Sequence, residues 1–237
     1  MRTCATLAAA GYEVFFLDRR GGGLNLEGRG DIPSFRRALD DIAEFLRALP
    51  ADGLPRFLAA ISWGGKLGVG LQYRHPGLVD GLALLCPGIV SKVRPAFLTR
   101  MRIALARVFR PDKFFPIPLN DPKLFTASLD WQRFVEQDEL GLRQATARML
   151  FNSFALDIYM RRAWKLLTLP VLLLLAEHDD IIDNAGVRAY VEKLPAKDKR
   201  IILYPGAHHT LEFEAKGHPL VDDMRTWLDE QRADFSR

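Results

Sequence analysis

Short apolar runs that alternate with amphipathic stretches restrict the fold of this chain more than any other feature. Residues 13–18, 56–61, 82–86, 171–175 and 200–204 each read as a short buried strand. The first closes on the glycine turn Gly21-Gly22-Gly23 and the third on Pro87-Gly88. Between them the apolar spacing changes to three and four. Phe35, Leu39, Ile42, Phe45, Leu46 and Leu49 form one face of a helix that opens near Asp31 and Pro33. Further helices are expected over residues 2–10, from Gly64 onward, over 184–194 and over 220–235. Strands alternating with helices predict a parallel sheet covered on both faces, so the fold class is α/β.

Residues 90–168 break the rhythm. They hold no convincing strand, prolines cluster at Pro95, Pro111, Pro116, Pro118 and Pro122, and helical periodicity dominates both ends. The expected organisation is a core from 1–89 and 169–237, with a helical lid over 90–168 inserted between two strands. The helix near 97–110 carries Phe97, Met101, Leu105 and Val108 beside Arg100, Arg102, Arg107 and Arg110. That pattern fits an ordinary lid helix with a solvated basic face, and equally a helix that touches a membrane surface transiently.

Composition removes other classes. The 237 residues are 49% hydrophobic and 26% charged, which supports a sizeable core and excludes a disordered chain. The longest apolar run, residues 171–176, is far short of the ~18 residues that span a bilayer. The apolar stretch of residues 7–10 is too short for the core of a signal peptide, so a cytoplasmic protein is expected. Cys4 and Cys86 give neither a disulfide framework nor metal-ligand spacing. A net charge of +4, from 33 basic and 29 acidic residues, is too small and scattered to indicate nucleic acid.

The chemistry concentrates in three places. Ala60-Ile61-Ser62-Trp63-Gly64-Gly65 lies where a strand turns sharply into a helix. A serine there is held out of the sheet on a turn that tolerates only small neighbours, and the N–H of Trp63 at the helix start would face a developing oxyanion. Taken alone, Ser62 could equally be a helix cap. Past the strand at 171–175 stand Asp179, Asp180 and Asp183, and past that at 200–204 stand His208 and His209. Serine, then acid, then histidine, all at carboxyl ends of parallel strands, is the order of a nucleophile, an orienting carboxylate and a general base.

With these motifs in place the sequence resembles the α/β-hydrolase superfamily, in particular its lysophospholipase and monoacylglycerol-lipase-like serine hydrolases, over nearly the whole chain. Residues 18–25 look like that group's D-x-R-G-x-G-x-[SN] turn, residues 60–65 like its nucleophile elbow, 176–179 like G-x-x-D, and 206–209 like G-A-x-H. Alanine replaces the leading glycine at Ala60 and Ala176. The resemblance implies Ser62 as nucleophile, Asp179 as acid, His209 as base and the Trp63 amide as an oxyanion donor. His208 then reads as a loop residue, His178 and His75 as structural, and Arg20 as the carboxylate partner that ties down the glycine turn. A serine at the elbow also argues against haloalkane dehalogenases, which use an aspartate there.

The family fold places three further strands ahead of the helix at 2–10, and a His-Gly-type loop that supplies a second oxyanion N–H. Its third strand lies between the strands that match 13–18 and 56–61, so a gap in the sheet is expected. Three explanations compete: a natural chain that begins further upstream, direct pairing of the two flanking strands, or another chain in the gap. The first is the expectation. The activity implied is hydrolysis of carboxylic esters through an acyl-enzyme, on a small-molecule ester or a mono-acyl lipid, with no metal or organic cofactor. The alternatives are a catalytically impaired α/β-hydrolase-like binding protein and an acyltransferase using the same residues.

Overall fold

The computed structural model describes residues 2–235. Its elements run α1 (Arg2–Ala9), α2 (Phe35–Ala48), β1 (Phe57–Ile61), α3 (Trp63–Arg74), β2 (Gly81–Leu85), α4 (Phe97–Phe109), β3 (Phe114–Pro116), α5 (Leu129–Gln137), β4 (Gln144–Thr146), α6 (Ala147–Ala163), β5 (Val171–His178), α7 (Asn184–Glu192), β6 (Lys199–His208) and α8 (Leu220–Phe235). Four strands form one parallel sheet in the order β1-β2-β5-β6. β2 and β5 are its interior, and every residue of Val171–Ala176 is at most 1% exposed. That burial on both faces is why these strands are continuously apolar.

Helices cover both faces because side chains alternate along a strand. A Cβ on Gly81 would meet the Trp227 ring of α8 at 2.9 Å, whereas one on Gly68 of α3 would meet Leu82 at 3.2 Å. Successive residues of β2 therefore point to α8 and to α3. α2 begins after Ser34, whose hydroxyl accepts the Arg37 N–H at 3.0 Å, and it buries Phe35, Leu39 and Leu46. It is fastened to α3 through Asp40, which accepts Arg74 at 2.7 and 3.0 Å and His75 at 2.6 Å.

Three expectations are corrected. Residues 13–18 form no strand. They run beside β1 without pairing to it, across a groove of about 1620 Å³ lined by Tyr12–Leu17 on one side and Phe57, Leu58 and Ile61 on the other. Phe15, Phe16 and Leu17 are 49%, 66% and 45% exposed. A strand exists only when its N–H and C=O groups find a ladder partner, and here the neighbouring strand stands too far away. The gap in the sheet is present, and direct pairing of its two flanks is excluded.

The stretch between β2 and β5 is not purely helical. β3 and β4 pair antiparallel, with Phe115 opposite Ala145. Three-residue strands, one of them ending at Pro116, are too short to leave an alternating pattern in the sequence. β4 also docks on the loop that follows the glycine turn: Thr146 donates its N–H to Gly30 O at 2.8 Å, and Gly30, at φ +76°, passes so close to Gln144 that a Cβ would not fit. Asp31 holds the same junction by accepting Thr146 Oγ1 at 2.5 Å and the Arg148 guanidinium.

The third correction concerns the last strand, which runs on to His208 where a loop from residue 205 was expected. Gly206, at φ +70°, and a register shift opposite Ala176 and His178 let β6 bulge and continue.

Candidate active site

The β1–α3 turn is built by close approach. Ser62 sits at φ +50°, ψ −121°, a strained conformation for a residue with a Cβ. It is held there from both sides: Ser62 N–H donates to Leu85 O at 3.0 Å, and Gly88 N–H donates to Ser62 O at 2.6 Å. Gly65 is required, because a Cβ would lie 2.4 Å from that of Pro87, whereas nothing lies within 4 Å of one on Gly64. Ala60 faces Gly68 so closely that the pair accepts only small residues, which is why alanine serves where the motif has glycine. Trp63 opens α3, so its amide belongs to the first helical turn, whose N–H groups have no intrahelical acceptor.

The structure brings Ser62, His209 and Asp179 into one hydrogen-bonded chain. Ser62 Oγ lies 2.9 Å from His209 Nε2, and His209 Nδ1 lies 2.7 Å from Asp179 Oδ2. Asp179 and His209 are 1% and 2% exposed. The other carboxylate oxygen, Oδ1, accepts the N–H groups of Ile181 and Ile182, both at 2.9 Å. Burial alone would raise the Asp179 pKa. The His209 hydrogen bond and charge, with the two amides, outweigh it and hold the carboxyl below its ordinary value. Lys92 adds a hydrogen bond from Nζ to the Asp179 main-chain oxygen at 2.6 Å.

The neighbouring candidates stand elsewhere. Asp180 is exposed, and Asp183 caps α7 through the Ala185 N–H at 3.1 Å. His208 turns toward Glu214, at 3.3 Å, and His178 is exposed beside it. His75 belongs to the Asp40 cluster, and Arg20 pairs with Asp41 at 2.7 and 3.0 Å. Sequence reasoning missed Cys86 and Phe125. Cys86 follows β2 and, with Asp179 and His209, forms a buried group whose potential ligand atoms lie within 4.8 Å of one another. His209 and Asp179 already share a hydrogen bond, so a proton sits where an ion would bridge them. Phe125 sets its ring edge-on to His209 at 6.2 Å and accepts the Thr210 N–H at 2.9 Å. Only the Pro87-Gly88 turn after Cys86 could have signalled the first, and nothing in the sequence signals the second.

Ser62 opens onto a mostly apolar cavity of about 1280 Å³, walled by Ile89, Phe125, Met149, Phe154 and Met160. The indole of Trp63 donates to Ser153 Oγ of α6 at 2.9 Å, and the Arg19 guanidinium lies 4.8 Å over its ring. Among the described residues no helix is long and apolar enough to cross a membrane.

A mostly parallel sheet flanked by helices, with a serine on the strand–helix turn after β1, defines an α/β-hydrolase. Residues 1–216 match the family described as serine aminopeptidase, S33, and the chain belongs to that family. It is 26% identical to the monoglyceride lipase of Saccharomyces cerevisiae over 265 residues, covering 94% of this chain and 77% of that protein. It is 25% identical to lysophospholipase L2 of Escherichia coli strain K12 over 250 residues, covering 90% and 72%. The crystal structure of Paleococcus ferrophilus monoacylglycerol lipase superimposes with a TM-score of 0.87 at 24% identity, over 97% of this chain and 88% of that one.

Proposed function

We propose that this protein is a carboxylic ester hydrolase acting on mono-acyl lipids, with Ser62 as nucleophile, His209 as general base and Asp179 as the orienting acid. The continuous Ser62–His209–Asp179 hydrogen-bond chain carries the reading. His209 Nε2 takes the Ser62 proton as Oγ attacks the acyl carbon, and the imidazolium that forms is stabilised by Asp179. The Trp63 amide stabilises the oxyanion, and His209 returns the proton to the departing alcohol. Water, activated by the same histidine, then releases the acid from the acyl-enzyme.

The apolar cavity beside Ser62 supports a long acyl chain, and relatives named as a monoglyceride lipase and a lysophospholipase support the substrate class. On this reading residues 90–168 are the lid. The exposed apolar residues of α4 that do not line this cavity, Leu98, Leu105, Val108 and Phe109, between 62% and 75% exposed beside arginines, are its transient contact with lipid surfaces. The free thiols of Cys4 and Cys86 fit a reducing cytoplasm.

Fluorophosphonate labelling with mass spectrometry tests the chemistry without assuming a substrate. The expected result is rapid modification of Ser62, lost in His209→Ala. A folded protein that takes no label would overturn the proposal. A panel of monoacylglycerols, lysophospholipids and short esters then assigns the head group and chain length.

A further inference from the structure

The charge around the Ser62 cavity is one-sided. Among the described residues six cations line it, and the single carboxylate in its walls, Asp157, is taken by the buried ammonium of Lys66. Arg19, Arg94, Arg100, Arg161 and Lys193 remain, and among the described residues none of these five meets a carboxylate at ion-pair distance. Six positive charges and one negative give the cavity a net +5, against +4 for the whole chain, so the rest of the molecule is close to neutral. The groove beside β1 is an internal comparison, since its walls hold five basic and five acidic residues. Acidic residues are thus kept from the substrate cavity and not from cavities in general. Arg19 stands beside the chemistry: its guanidinium lies 4.8 Å over the ring of Trp63, the residue that follows Ser62. Neighbouring Asp18 does not pair with it, because that carboxylate accepts the Leu24 N–H at 3.0 Å. Among the described residues the Arg19 N–H donors meet no acceptor. Solvent reaches Arg19 through the cavity, but the surrounding protein desolvates it and lowers its pKa, with the Asp18 charge acting the other way.

On the ester-hydrolase reading above, we propose that the substrate is anionic: a mono-acyl lipid whose head group carries a phosphate, bound by Arg19. The acyl chain takes the apolar walls. The phosphate takes the guanidinium, whose fork of donors matches two phosphate oxygens. Arg94, Arg100, Arg161 and Lys193 supply a field that draws such a substrate in, focused by the low-dielectric walls and weakened by salt. A neutral head group leaves Arg19 without an acceptor. The contact is the same before and during attack by Ser62, so it acts on KM. The phosphate departs with the alcohol that His209 protonates, and Arg19 is vacated before water attacks the acyl-enzyme.

The test compares monodecanoylglycerol with its phosphate monoester, both below their critical micelle concentrations, in the wild type, Arg19→Gln and Arg19→Lys. The wild type is expected to favour the phosphate ester about tenfold in kcat/KM at low salt, through KM, and the preference should shrink in about 0.5 M NaCl. Arg19→Gln should cut the preference about tenfold, as loss of a hydrogen bond to a charged group predicts, and Arg19→Lys should keep part of it. Equal kcat/KM for the two esters, or a preference that Arg19→Gln leaves intact, would overturn the inference. So would a preference that emerges only when anionic vesicles are added, since the cations would then be binding a membrane. Should Arg19→Gln fail to fold, competition in the wild type decides: decyl phosphate must inhibit p-nitrophenyl butyrate hydrolysis more strongly than decanol, and equal inhibition overturns the inference. A wild type that hydrolyses no ester overturns the ester-hydrolase reading instead, and calorimetric binding of decyl phosphate against decanol then tests the charge preference alone.

Discussion

Two adjacent glycines carry opposite constraints at the β1–α3 turn. Gly65 packs against Pro87 with no room for a methyl group, whereas Gly64 faces open space. Gly65→Ala is expected to cost about 1–3 kcal/mol and to slow fluorophosphonate labelling, because the turn must shift and carry the Trp63 amide with it. Gly64→Ala, in the first turn of α3 where a methyl group meets nothing, should leave the melting temperature unchanged or raise it by a few degrees. Equal melting temperatures for both variants would contradict the packing described. The candidate residues themselves were legible, since Ser62, Asp179 and His209 fall at strand ends in a fixed order. Their partners were not, because Cys86 and Phe125 reach the site only through the fold, and His208 is separated from His209 by the direction of one strand residue rather than by its type.

The contact between α2 and α3 shows how an element is held as well as packed. The Arg74 hydrogen bonds, then His75, hold the Asp40 carboxyl well below the usual carboxylate range. A carboxyl depressed on folding adds stability above its unfolded pKa, and that stability is lost as pH falls through the folded value. Asp40→Asn should therefore cost about 1 kcal/mol at neutral pH, with the gap to wild type closing as the pH falls below about 4 in chemical denaturation. A gap that widened in acid would reverse the sign. Asp31→Ala should loosen the junction of β4 with the loop around Gly30, and limited proteolysis should then cut first between residues 138 and 145. α2 and α7 were readable because each carries its own apolar period and a capping side chain, Ser34 and Asp183. Residues 13–18 were misread because a strand depends on its neighbour, and no local sequence reports whether that neighbour is present.

Along the sheet, burial and strand pairing fall off from β2 and β5 toward the groove beside β1. β2 and β5 are paired on both sides and almost fully buried, whereas β1 pairs on one side only and Ile61 is 37% exposed. Amide hydrogen exchange should be slowest in β2 and β5 and fastest over residues 12–18, with β1 intermediate. Protection of residues 12–18 equal to that of β2 would contradict the unpaired edge. The bond from the Trp63 indole to Ser153 joins the nucleophile turn to α6, the longest helix of the stretch between β2 and β5. That bond makes the elbow optically addressable. A ligand that parts α6 from the turn frees the indole N–H and alters its emission, so the difference between wild-type and Trp63→Phe fluorescence becomes a built-in gauge of how the cavity opens.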